Sequence, residues 1–122
     1  MRFARDSSST FHVIRGYGTG ELRIDEDTYR GTVIVSASTI LPLPDIRDVN
    51  DLAGFDPARI LALDPELVLL GTGPRQTFPA ASFRARFLSA GIGLEVMDTG
   101  AACRTFNVLV TEQRRVVALL MV

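Results

Sequence analysis

The run PELVLLGTG, Pro65 to Gly73, carries most of the information about the fold. It is a short, compact apolar segment that closes on two glycines, the pattern of a strand buried on both faces. TFPAASFRARFLSAG (77–91) follows and reads as a helix. Thr77 or Phe78 precedes Pro79 at its start, Phe83 and Phe87 lie one turn apart, and Gly91 is placed to stop it. IGLEVMD (92–98) is the next strand. TGAACRTFNVLVTEQRR (99–115) reads as a helix of about three turns with Asp98 or Thr99 as its N-cap, and VVALLMV (116–122) is the final strand. From residue 66 the order is therefore β-α-β-α-β. Strands separated by single helices of this length make a parallel sheet with right-handed crossovers. The connection EQRR is short, so the direction of the last strand stays open.

Upstream, FDPARILALD (55–64) gives a short helix, with Asp56 as cap and Pro57 in the first turn. TFHVIRGYGTGELRID (10–25) reads as a strand near 11–15, a glycine-rich turn, and a strand near 21–25. Asp25 and Glu26 fall at a solvated turn. GTVIVSAS (31–38) is a β-branched, buried strand. In TILPLPD (39–45), Pro42 and Pro44 force extended backbone and end regular pairing. The expected fold is a single α/β domain over residues 10–122. Its central mixed, mostly parallel sheet comes from the β-α-β-α-β unit, with helices packed on it and an N-terminal antiparallel β segment. Residues 1–9 are expected to form a flexible arm.

Composition narrows the function. The chain has 122 residues, a formal net charge of −1 and 47% hydrophobic residues, enough to bury a core. No block of basic residues suits nucleic acid. All 13 basic residues are arginines, so a Schiff-base or P-loop lysine is excluded. One cysteine cannot form an internal disulfide, which favours a cytoplasmic setting. MRFARDSSSTF has no continuous apolar core of a secretory signal, and no apolar run approaches the ~20 residues of a membrane span. No metal or other cofactor is expected, because the only histidine, His12, has no cluster of ligand-type residues around it in sequence.

In an open α/β sheet, ligands bind beyond the carboxyl ends of the strands. Two loops meet there, residues 71–78 and 98–105. Both lead into helices, so backbone N–H groups and the positive ends of helix dipoles face the crevice. The candidate ligand- or partner-binding residues are Gly71, Gly73, Arg75, Asp98, Thr99, Cys103, Arg104 and Asn107. Each has a plainer reading. The glycines make turns, Arg75 is solvated, Asp98 caps a helix, and Asn107 satisfies backbone groups. Cys103 is the sole candidate nucleophile, through a thiol pKa lowered by the helix dipole and Arg104. It also shares a helical face with Phe106 and Val110, where a cysteine is a small hydrophobe. GTG has neither the spacing of a dinucleotide fingerprint nor a following lysine, and no nucleophile-elbow motif is present.

Three features resemble a known family: the strand and loop DPELVLLGTG, the helix start MDTGAACRTFNVL, and the strand RRVVALLM. GYGTGELRIDEDTYRGTVIV resembles its opening β segment. The family is the small group of unknown-function domains that includes mitochondrial complex I assembly factor three and the adipogenesis-associated domain protein. The chain is most similar to its bacterial members. The resemblance implies a single α/β domain and no accepted catalytic residue set. It also implies a non-enzymatic interaction or assembly-factor-like role, with protein partners and work beside a membrane. Bacterial members are often encoded near protein-export genes. Without the import segment of the mitochondrial members, the expected location is the bacterial cytoplasm, extending to the inner face of the membrane through a partner. The competing reading is a small-anion-binding protein or a thiol-dependent enzyme built on the 71–78 and 98–105 crevice. A third is a homodimer formed through the terminal strand VVALLMV.

Overall fold

Val116–Met121 lies at the centre of the molecule, and its six residues are all buried. The computed structural model describes residues 11–122; the arm expected at 1–9 falls outside them. Among the described residues there are eight strands. We name them β1 (Ile14–Gly18), β2 (Glu21–Ile24), β3 (Asp27–Tyr29), β4 (Val33–Val35), β5 (Ile40–Pro42), β6 (Leu67–Thr72), β7 (Gly93–Met97) and β8 (Val116–Met121). The α-helices are α1 (Ala58–Leu61), α2 (Ala81–Leu88) and α3 (Thr99–Thr111), and Val49–Gly54 forms a 3-10 helix.

The main sheet has the order β5-β4-β8-β6-β7. β6 runs parallel to both β7 and β8, whereas β4 is antiparallel to β8 and to β5. The expected mixed α/β sheet is present: the three strands from residue 66 onward are mutually parallel, including the last, and β4 and β5 add two antiparallel pairings. A strand flanked on both sides must be apolar on both faces. In β8, Val117, Leu119 and Met121 enter one core and Val116, Ala118 and Leu120 the other. Its central place corrects one expectation. β8 pairs with β6 along its whole length and with β4 over Ala118–Leu120, so it offers no free edge for a homodimer.

The first core lies between the sheet and the layer formed by the 3-10 helix, α1 and α2. Phe87 is fully buried there and meets Phe83 edge-on at a centroid separation of 5.2 Å. The second core lies under α3 and a separate three-stranded antiparallel sheet, β1-β2-β3. Phe106 of α3 and Leu22 and Ile24 of β2 are fully buried in it. Each such side chain contributes about 1.5–3 kcal/mol relative to exposure.

Several boundaries differ from the sequence reading. β1 begins at Ile14 rather than residue 11, and Gly16 and Gly18 belong to its ladder. The turn itself is Thr19-Gly20, with Gly20 at φ +77°. β3 was unexpected because DTY has no apolar alternation. Pro42 does not end pairing; it lies in β5 opposite Val33, on an edge strand where a missing N–H is tolerated. α1 spans only four residues, with the Asp56 carboxylate accepting from the Ala58 N–H. The 3-10 helix carries a reciprocal capping box between Asp48 and Asp51, a signal present in the sequence as D-x-x-D. Hydrogen bonds from the Arg47 and Asp48 N–H groups, with the Arg47 guanidinium 3.7 Å away, hold the Asp51 carboxyl below its usual range.

Candidate functional site

The loops after β6 and β7 do meet at the carboxyl edge of the parallel strands. Thr99 joins them. Its hydroxyl accepts the Gly73 N–H at 2.8 Å and donates to the Met121 carbonyl at the end of β8, while its own N–H donates to the Gly73 carbonyl at 2.9 Å. Thr99 is only 5% exposed, so these bonds are shielded from water. Asp98 is the N-cap of α3, accepting the Ala101 N–H at 2.8 Å.

Two glycines are needed for this junction. A Cβ on Gly71 would stand 3.1 Å from Ala102 Cβ, Leu120 Cδ2 and Thr99 Cα, so its absence lets α3 sit directly on the sheet. Gly73 has φ +91°, in the left-handed region that glycine adopts without strain.

Above this junction is a crevice of about 460 Å³, lined by Tyr17, Gly18, Thr19, Gly73, Pro74, Asp98, Thr99, Gly100, Arg104 and Val122. Tyr17 reaches it from the β1–β2 hairpin. Its ring lies over Gly100, where an added Cβ would be 2.8–2.9 Å from the ring and hydroxyl. Arg104 Nη1 donates to the Tyr17 hydroxyl at 2.5 Å. This exposed pair spans the mouth of the crevice and ties the small sheet to α3.

The eight candidate residues do not share one place. Gly73, Asp98, Thr99 and Arg104 line the crevice, whereas Gly71 lies outside the lining and admits α3 against the sheet. Arg75 is exposed and outside the lining. Asn107 faces β1 instead, accepting from the Ile14 N–H at 2.9 Å and donating to the Ile14 carbonyl at 2.8 Å. Cys103 is 2% exposed in the second core, packed with Phe106 and Val110. Burial pushes its thiol up to about 12, overriding the opposing pull of Arg104. The thiolate required of a nucleophile is therefore disfavoured. His12 lies elsewhere, bonded to Asp25 at 2.6 Å.

Tyr17, Gly18, Thr19, Pro74, Gly100 and Val122 were not singled out by sequence reasoning. The one available signal for Tyr17 is an aromatic residue between glycines in GYGTG, and nothing local says that this hairpin folds across α3. Among the described residues, no group of three or more His, Cys, Asp or Glu side chains is arranged to hold a metal, and no helix is long and apolar enough to cross a membrane.

Fold and site together describe a single α/β domain in which an aromatic hairpin closes over the strand ends of a mixed sheet. The chain belongs to the family described as a protein of unknown function (DUF498/DUF598), which matches residues 14–121. The 13 kDa major membrane protein of Francisella tularensis subsp. holarctica is 33% identical over 101 residues, 82% of each chain. NADH dehydrogenase (ubiquinone) 1 alpha subcomplex assembly factor 3 of Xenopus tropicalis is 31% identical over 115 residues, 93% of this chain. The match spans 62% of that longer protein. Among solved structures, the NMR structure of a Xanthomonas campestris protein superposes with a TM-score of 0.80 at 31% identity, covering 100% of this chain and 92% of that one.

Proposed function

We propose that this chain is a non-enzymatic interaction domain with an assembly-factor-like role, and that it engages a partner protein at the Tyr17–Arg104 crevice. The observation that carries the reading is the exposed Tyr17–Arg104 pair at the mouth of a preformed concavity. Tyrosine and arginine are the residue types that concentrate binding energy in protein interfaces. Here their backbones are already fixed by the hairpin and by α3, so little ordering cost opposes association. The assembly-factor name of the Xenopus relative and the membrane-protein name of the Francisella relative support a role in membrane-complex biogenesis, with attachment to the membrane through the partner.

The test is cross-linked affinity purification of the tagged protein from its own cells, with membrane and soluble fractions kept apart. A reproducible partner that is lost in both Tyr17→Ala and Arg104→Ala supports the reading. A partner retained by both variants moves the surface away from the crevice. Recovery of no partner in either fraction overturns the proposal.

A further inference from the structure

β7 is an edge strand, paired with β6 on one side only. The Met97 carbonyl faces β6, on the side where Thr72 Oγ1 stands 3.4 Å from it. Successive carbonyls along a strand point to opposite sides, so those of Leu94 and Val96 face outward. Both outward acceptors are occupied by side chains from other parts of the chain. Gln76 Nε2 donates to the Val96 carbonyl at 2.9 Å, and Arg84 Nη1 donates to the Leu94 carbonyl at 3.1 Å. Gln76 comes from the loop after β6 and Arg84 from α2, so two separate elements converge on consecutive acceptors of one edge.

An open edge is a template for pairing with another chain. The strand most able to fill this one is the same strand of a second copy, related by a two-fold axis. In the antiparallel register centred on Glu95, the outward groups of Leu94 would exchange hydrogen bonds with those of Val96 in the other copy. Glu95, exposed in β7, would then face its own counterpart. Like charges directly opposite are unfavourable. We propose that Gln76 and Arg84 guard the β7 edge against pairing with a second copy of this chain, and that Glu95 adds a like-charge brake. The short opposite edge, β5, needs no such side chains because it carries Pro42 and spans three residues.

The register supplies a direct test. It makes the two copies of residue 95 a non-hydrogen-bonded pair with Cα atoms about 4.5 Å apart, inside the range a disulfide can bridge. The full chain carrying Glu95→Cys is compared with the same chain also carrying Gln76→Ala and Arg84→Ala, each oxidised with diamide and resolved without reductant. Cys103 is buried and stays out of the reaction. The guard-free chain is expected to form the disulfide-linked dimer roughly ten-fold faster. Sedimentation of Gln76→Ala/Arg84→Ala without the added cysteine is expected to show self-association that the native chain lacks, strengthened further by Glu95→Gln. Should the alanine pair unfold the chain, Gln76→Met with Arg84→Met removes the donors while keeping side-chain length. Equal cross-linking rates and unchanged sedimentation in folded variants would overturn the proposal. These residues are distinct from Tyr17 and Arg104, so this result and the partner experiment stand or fall separately.

Discussion

Two strand-to-helix junctions lie side by side at one edge of the sheet and are built by different means. Between β7 and α3 a single residue intervenes, Asp98, which caps the helix; the first helical residue, Thr99, is buried and bonds to two other segments. Between β6 and α2 the chain takes eight residues, 73–80, and α2 starts from Ala80 with no side-chain cap. That longer loop is held by Thr72, whose hydroxyl donates to the Arg75 carbonyl at 2.6 Å and accepts the Thr77 N–H at 2.9 Å. It leaves Phe78 63% exposed. One junction is part of the core; the other lies on the surface and is fastened at its base and by Gln76. A helix start made by a cap and a buried hydroxyl is rigid and intolerant, and one made by a surface loop has room for change.

The sharpest way to break this comparison is Thr99→Val. The side chain keeps its volume but leaves the Gly73 N–H and the Met121 carbonyl without their buried partner, at about 1–3 kcal/mol each. Denaturant unfolding should show a loss of about 3 kcal/mol, and a loss below about 0.5 kcal/mol would mean that water reaches the junction.

The buried side of α3 makes a pH prediction. The folded-state thiol of Cys103 lies near 12, above its ordinary value near 9. The folded protein therefore holds this proton more tightly than the unfolded chain does. Its contribution is fully present below about pH 9 and is lost as pH rises towards 12. Alkylation of the native protein at pH 8 should be slow until denaturant is added; rapid native labelling would restore the nucleophile reading.

Smaller effects follow at the caps. Asp98→Ala should cost about 1 kcal/mol, the usual value of an N-cap, measured by thermal unfolding. The surface junction should respond in the opposite direction: Ala80→Asp supplies the missing acceptor and should stabilise by about 0.5–1 kcal/mol. If both substitutions changed stability in the same direction, the contrast between the junctions would fail.

The same contrast explains what could be read in advance. The start of α3 was legible to within one residue, at Asp98 or Thr99, because the cap is a local contact across three residues; the structure selects Asp98. The start of α2 was misplaced at Thr77 or Phe78. The Thr77 N–H is in fact taken by Thr72, five residues earlier in the chain and across a loop. The plainer reading of Asn107 had it bonding backbone groups of the adjacent loop; the backbone it bonds is that of Ile14, 93 positions away, which carries no local signal. Tyr17 was missed for the same reason: its contacts with Gly100 and Arg104 depend on the small sheet folding over α3.

By itself, the sequence determined the alternation of strands and helices from residue 66, the two-faced apolar character of VVALLM, a helix cap at Asp98 or Thr99 and the absence of any lysine-based chemistry. These depend on periodicity, on side-chain acceptors within a turn of their donors, and on composition. Tertiary structure decided that β8 is central rather than an edge, that Cys103 faces the core, that Tyr17 and Arg104 close the crevice, and that Gln76 and Arg84 cover the open edge of β7. Each of those outcomes joins groups far apart in the chain, and such contacts exist only once the sheet has assembled and two cores have fixed which faces are buried.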